Sequence, residues 1–250
     1  MTSVLANPAL LPLRSLTDSF TSPALASPVV IVAPHPDDET LGCGGAIALL
    51  HRFGCNVNVL VVSDGTRSHP NSRKYPTSAL RALRERETIA AMAILGINAD
   101  AVTFLGLPDG AVPCLEASEF TAAVSQCQTY LDRHAPQTIF APWRFDPHPD
   151  HRATCQLIQA ALQTLPQTPR LIEYPIWDWD TKQRGNAPKA THTGWRLKIG
   201  DVLALKEEAI AAYQSQTTHL IDDDPEGFCL TPEMLINFKQ PWELYFEESV

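Results

Sequence analysis

The chain has 250 residues, 44% of them hydrophobic, enough to bury the core of one large α/β domain. A formal net charge of −9 and a pI near 5.3 argue against nucleic-acid or anionic-membrane partners, which want a basic surface. No run of about 18 apolar residues offers a membrane-spanning helix, and six cysteines without a Cys-x-x-Cys pair read as buried free thiols in a reducing, cytoplasmic compartment.

Residues 1–27 place Leu10, Leu11 and Leu13 before the first positive charge, Arg14, an order unlike the basic-then-apolar signal peptide. They are expected to form an N-terminal arm ahead of a single domain over 28–250. Val29 to Ala33 is a β-branched run ending at a proline, the pattern of a buried strand. His35, Asp37, Asp38 and Glu39 crowd the loop behind it, and Gly44 to Phe53 reads as a helix. Gly42-Cys43-Gly44-Gly45 lacks the Gly-x-Gly-x-x-Gly spacing of a dinucleotide site and follows an acidic cluster that would repel a pyrophosphate, so its small residues suit helix–sheet packing.

Asn56 to Val62 is a second strand, ending in Ser63-Asp64-Gly65. The polar, basic stretch from Thr66 to Thr77, with Arg67, reads either as a solvated loop or as a lid contacting substrate hydroxyls or a phosphate. Ser78 to Leu95 has helical periodicity with Leu80, Leu83, Ile89, Met92 and Ile94 toward the core and Arg84 and Glu87 among its polar positions. Arg84 is a candidate to reach the site, although most helix arginines are solvated. After a third strand, Ala101 to Leu105, the Asp109-Gly110 turn lies at a strand edge, where Asp109 can bind a substrate hydroxyl.

Glu116 to His134 is helical, and Thr138 to Pro142 is a fourth strand leading through Trp143 and Phe145 to His148-Pro149-Asp150-His151 and a helix from Ala153 to Leu165. Trp143 can stack on a sugar ring or join the core. Leu171 to Ile176 reads as a fifth strand, followed by an acidic aromatic patch at 177–180 suited to a sugar or an apolar aglycone, and a loop at 185–194. Arg196 to Ile199 is a further strand, Val202 to Tyr213 a helix, and the alternating tail from Trp242 to Glu247 an edge strand.

Two strand-end loops of this kind converge on one crevice when their strands are parallel. Convergence assembles two or three imidazoles with several carboxylates, a donor set for zinc or another borderline divalent ion held by two His and one Asp with a water position open. An ion of this kind lowers the pKa of its water from about 15.7 towards roughly 7 and polarises an amide carbonyl. Of neighbouring carboxylates, one coordinates and the other stays free near that water.

Ala33-Pro34-His35-Pro36-Asp37-Asp38-Glu39 and His148-Pro149-Asp150-His151 resemble the two motifs of the PIG-L/LmbE-type zinc-dependent deacetylases, which remove acetyl groups from N-acetylglucosaminyl compounds. Weaker similarity runs through Ser63-Asp64-Gly65, Arg84 to Gly96, Leu107 to Gly110 and Lys206 to Gln216, so that roughly residues 28–216 are covered. The resemblance implies a three-layer α/β/α, Rossmann-like fold with a mostly parallel central sheet and the metal at the C-terminal edge of its strands. It makes His35, Asp38 and His151 the ligands of zinc, or of iron in the cell, and Asp37 the general base. It makes His148 the oxyanion partner, and gives Asp150 the part of orienting an adjacent imidazole. Asp109, Arg67, Arg84 and Trp143 are the substrate-binding candidates. Asp146 stands where some members carry a tyrosine that assists the intermediate.

The expected activity is removal of an N-acetyl group from an amino-sugar substrate or its conjugate, by a protein with no nucleic-acid partner and, as in the family, often a homo-oligomer. Two alternatives stay open. One is a metal-dependent amidase that cleaves a larger acyl group or a C–N bond in a sugar-thiol conjugate. The other is a non-catalytic sugar-binding protein, against which an intact Asp37 speaks.

Overall fold

The computed structural model describes residues 11–20, 27–177 and 192–248. Its centre is a run of five parallel strands, β2 (Val29–Ala33), β3 (Val57–Ser63), β4 (Val102–Leu107), β5 (Thr138–Pro142) and β6 (Arg170–Tyr174). They stand in the order β4-β3-β2-β5-β6. The chain therefore moves outward from β2 in one direction, returns, and moves outward from β5 in the other. In an open α/β sheet the crevice lies where the order reverses, outside the strand C-termini. Here that is the gap between the ends of β2 and β5, which carry the two His/Asp motifs.

Alternating side chains of the buried strands feed two cores. Val29, Ile31 and Ala33 pack with Val57, Val59 and Val61 against α2 (Asp38–Arg52), α3 (Thr77–Ile94) and α6 (Leu203–Ala211). Val30, Val32, Leu60 and Val62 face α4 (Phe120–His134) and α5 (Pro149–Leu162) on the other side. The result is a three-layer α/β/α sandwich, as the resemblance implies. Two short helices, α7 (Gln214–Thr217) and α8 (Pro232–Leu235), flank the strand ends.

The helices that follow the motifs start earlier than periodicity suggests. α2 begins at Asp38 rather than Gly44, and α5 at Pro149 rather than Ala153. Proline at the first position and carboxylates in the first turn are what a helix N-terminus favours, so the motif residues are the helix starts themselves.

The tail strand is not an edge strand. β8 (Trp242–Glu248) lies between β7 (His192–Lys198) and β6, antiparallel to both, and its Glu243 is buried rather than solvated. The alternation is polar for an internal reason: Glu243 accepts the Gly45 and Ala46 N–H groups of α2 at 2.7 and 2.8 Å and pairs with the buried Lys206 at 2.7 Å. The sheet's outer end is β1 (Leu13–Arg14), which pairs in parallel with β7, followed by α1 (Leu16–Ser19). Leu16 and Phe20 of this arm are buried. Of the patch expected at 177–180, only Trp177 is among the described residues, and 185–191 of the expected loop lie outside them.

Candidate active site

His35 follows β2 on a loop whose carbonyl at Pro34 accepts the Ser63 N–H at 2.9 Å. Asp37 caps α2 with φ 136°, a left-handed conformation that a non-glycine residue adopts only under constraint. Its N–H donates to Glu39 Oε2 at 3.2 Å, and its Oδ2 accepts from Arg84 Nη2 at 3.0 Å. Asp38 then faces inward, its Oδ2 3.1 Å from His35 Nδ1 and 3.2 Å from His151 Nε2. Three donor atoms from two loops thus point at one another.

The outward nitrogens of both rings meet carboxylates. His35 Nε2 lies 3.2 Å from Asp109 Oδ1 and 3.2 Å from Asp150 Oδ2, and His151 Nδ1 lies 3.3 Å from Asp146 Oδ1. This carboxylate–histidine pattern orients metal-ligating imidazoles and raises their basicity. His148, the N-cap of α5, accepts the Asp150 N–H at Nδ1 (3.2 Å), which keeps the neutral ring's proton on Nε2. The rings of His35, His148 and His151 form one cluster whose candidate donor atoms lie within 4.8 Å of each other.

Burial sets the charge states. It pushes the Asp37 carboxyl up to about 8, against the pull of Arg84. It also takes His148 down to about 4, helped by the neighbouring His151 and His35 rings. Burial works against protonation of His151, yet Asp38 and Asp146 outweigh it and raise that ring to about 9. For Asp38 burial would raise the carboxyl, but His151 and His35 hold it well below the usual range.

The cluster has the chemistry of a cation site. His151 is 0% exposed, and its ring nitrogens stand 3.2 and 3.3 Å from the Asp38 and Asp146 carboxylates without, among the described residues, the alignment of a hydrogen bond, a costly state for a buried polar ring. Four buried carboxylates, Asp38, Asp109, Asp146 and Asp150, face the imidazoles of His35 and His151, and a fifth, Asp37, pairs with the buried guanidinium of Arg84. Imidazole and carboxylate donors at this spacing fit zinc or iron, with His35 Nδ1, Asp38 Oδ2 and His151 Nε2 as the set that already converges.

A cavity of about 420 Å³ opens above the cluster, lined on one side by His35, Asp37, Asp38, Asp109 and His148. Arg67 also lines it; its own N–H holds Asp109 Oδ2 at 2.8 Å. Arg84 is 3% exposed, and its two terminal nitrogens donate to the Gly65 and Pro36 carbonyls at 2.9 and 2.6 Å and to Asp37. It touches the cavity as the support of Asp37 rather than as a free cation. Trp143 is not brought to the cavity: it is buried against Phe246 and Phe145, with ring centroids at 4.9 and 5.5 Å. The indole that lines the cavity is Trp177.

The contacts of three residues were not read from the sequence. Asp146 is buried and accepts from the His148, Ile176 and Trp177 N–H groups besides facing His151. Tyr213 donates its hydroxyl to Glu39, whose other oxygen holds the Asp37 N–H. Gln216 lines the cavity. The Asp-Pro-His-Pro-Asp-His spacing could have flagged Asp146; nothing local could have paired Tyr213 with Glu39.

A Rossmann-like sheet with a His/Asp cluster at its switch point defines an α/β protein built around a candidate metal site. The chain belongs to the PIG-L family, whose profile, described as GlcNAc-PI de-N-acetylase, matches residues 30–162. It is similar to the probable N-acetyl-alpha-D-glucosaminyl L-malate deacetylase 2 of Bacillus anthracis, 25% identical over 223 residues, or 87% of this chain and 94% of that protein. It is also similar to the 1D-myo-inositol 2-acetamido-2-deoxy-alpha-D-glucopyranoside deacetylase of Mycobacterium sp. (strain KMS), 30% identical over 169 residues, 58% of this chain and about half (53%) of that relative's length. Among solved structures, a conserved protein of Thermus thermophilus superposes with a TM-score of 0.56 at 32% identity, covering 75% of this chain and 79% of that one.

Proposed function

We propose that this protein is a metal-dependent hydrolase that removes the N-acetyl group from an N-acetylglucosamine-containing substrate. The observation that carries the reading is the convergence of His35, Asp38 and His151 on one point at the cavity wall with Asp37 beside them. His35, Asp38 and His151 would hold one zinc ion, or iron in the cell. When bound, the ion supplies a Lewis acid that acidifies a water and polarises the amide carbonyl.

Asp37 takes the proton of the attacking water and returns it to the departing amine nitrogen. Burial raises the proton affinity of this carboxyl, which favours its taking the proton and holding it for the amine. His148 donates its Nε2–H to the carbonyl oxygen as negative charge builds there. Asp150 and Asp146 keep the two ligating rings in place, and Asp109 and Arg67 receive sugar hydroxyls. The six free cysteines, four of them buried, support a reducing compartment, and we place the enzyme in the cytoplasm.

The test is amine release from N-acetylglucosamine and its glycosides, on zinc-loaded and chelator-stripped protein, for wild type and two variants. Asp37→Asn is expected to keep the metal and lose turnover by roughly 10²–10⁴-fold. His151→Ala is expected to lose the metal as well. Equal metal loss in both would overturn the division between base and ligand, and release that persists after stripping would overturn the metal reading.

A further inference from the structure

We propose that the amino sugar handled by this site carries an apolar aglycone, an alkyl or aryl group seated on a wall formed by Leu41, Trp177, Phe228, Leu230 and Met234. The inference rests on the deacetylase reading and adds the substrate class to it.

The cavity has two unlike kinds of lining. The reacting side carries His35, Asp37, Asp38, Asp109 and His148, groups suited to an acetamide and to sugar hydroxyls. The apolar lining comes from separate stretches of chain: Leu41 in the first turn of α2, Trp177 beyond the end of β6, Phe228 and Leu230 after α7, and Met234 in α8. A malate or a polyol placed there would lose its water without gaining partners, which costs free energy for every carboxylate or hydroxyl stripped. An alkyl or aryl group loses nothing by the same transfer and gains in proportion to the area buried.

The polar atoms near this wall point the same way. The two terminal nitrogens of Arg84 are spent on Asp37, Pro36 and Gly65. Arg67 belongs to the sugar side, since its N–H holds Asp109 and its side chain lies over Gly110. Gln216 is 0% exposed and lines the cavity; its Nε2 donates to Ser215 Oγ at 3.0 Å while its Oε1 has no partner among the described residues. A lone acceptor takes an O–H or N–H from the sugar and repels a carboxylate.

The wall is preformed. The Phe228 N–H donates to the Ser68 carbonyl at 2.6 Å and the Leu230 N–H to the Gln216 carbonyl at 2.7 Å. Asp223 accepts the Arg73 and Lys74 N–H groups, and Asp224 that of Asn71, all at 2.8 to 2.9 Å. At Gly227 a Cβ would fall 2.1 Å from His69 Cδ2, so only glycine lets the two segments close this tightly. The Trp177 and Phe228 rings meet edge to face at 5.8 Å, and Phe228 keeps 37% of its surface open for a ligand. Little ordering cost is left for binding.

The experiment measures Kd by calorimetry and KM by amine release for three glycosides of N-acetylglucosamine, methyl, hexyl and L-malyl, on the zinc-loaded protein. The hexyl glycoside is expected to bind at least about tenfold tighter than the methyl one. Phe228→Ala and Met234→Ala should shrink that ratio to about threefold or less, as the backbone clamp at Phe228 does not use its side chain. Equal affinity for methyl and hexyl glycosides, or tightest binding of the malyl glycoside, would overturn the proposal while leaving the deacetylase reading intact. Tenfold tighter hexyl binding without amine release from any glycoside would uphold the apolar wall and overturn the activity.

Discussion

Asp37 shows what the site demands of single residues. Its φ of 136° costs on the order of 1–3 kcal/mol, and neighbouring groups over-determine it: Glu39 on its N–H, the Thr40 and Leu41 N–H groups on its carbonyl, and Arg84 on its carboxylate. Arg84 thereby has a structural effect as well as an electrostatic one. Arg84→Met is expected to destabilise the fold by about 3–5 kcal/mol, because it leaves a carboxylate and two carbonyls buried without their donor. Urea unfolding reads that loss; a change below about 0.5 kcal/mol would make Arg84 equivalent to a solvated helix arginine. In the sequence Arg81, Arg84 and Arg86 look alike, and only the packing of α3 on the loop after β3 separates the buried one from its neighbours.

At the scale of elements, α2 is the member on which the site is mounted, and its middle is anchored to the C-terminal strand. Glu243 of β8 accepts two N–H groups of α2, the Tyr245 hydroxyl at 2.8 Å and the Lys206 ammonium, while Lys206 Nζ also donates to the Leu41 carbonyl at 2.8 Å. Replacing one partner of such a pair leaves the other charge uncompensated in the interior. Glu243→Leu should cost roughly 3–5 kcal/mol in denaturant unfolding, and Glu243→Leu combined with Lys206→Met should recover a large part of it. Strict additivity of the two changes would mean that the pair does not act as a unit. The glycines of α2 admit other close neighbours: at Gly45 a Cβ would lie 2.6 Å from Ile199 Cγ2, just past β7, and at Gly42 2.3 Å from Tyr174 Cδ2 of β6.

For the whole molecule, the metal is expected to couple the two halves of the doubly wound sheet, since His35 and Asp38 follow β2 whereas His151 follows β5. An ion held at one hundred times its Kd adds about 2.7 kcal/mol to the folded state. Chelation should accordingly lower Tm by roughly 5–10 °C for a chain of this size, and zinc should restore it. A Tm indifferent to chelator would show that the cluster holds no ion in the folded protein.

The strands were legible because β-branched runs such as Val29–Ala33 are buried on both faces, and the two motifs because imidazoles and carboxylates at strand ends have few other uses. Those local patterns, with their order along the chain, suffice for an α/β sandwich and for two loops that converge, and they are what the proposed metal site rests on. What they could not contain is pairing between distant segments. The place of β8 inside the sheet, the bond from Tyr213 to Glu39, the burial of Arg84 and of Trp143, and the apolar wall contributed by Phe228, Leu230 and Met234 depend on contacts across tens to hundreds of residues. A polar side chain reads the same in sequence whether it faces water or a buried partner. Only the tertiary structure, by removing the water, decides which of the two it is.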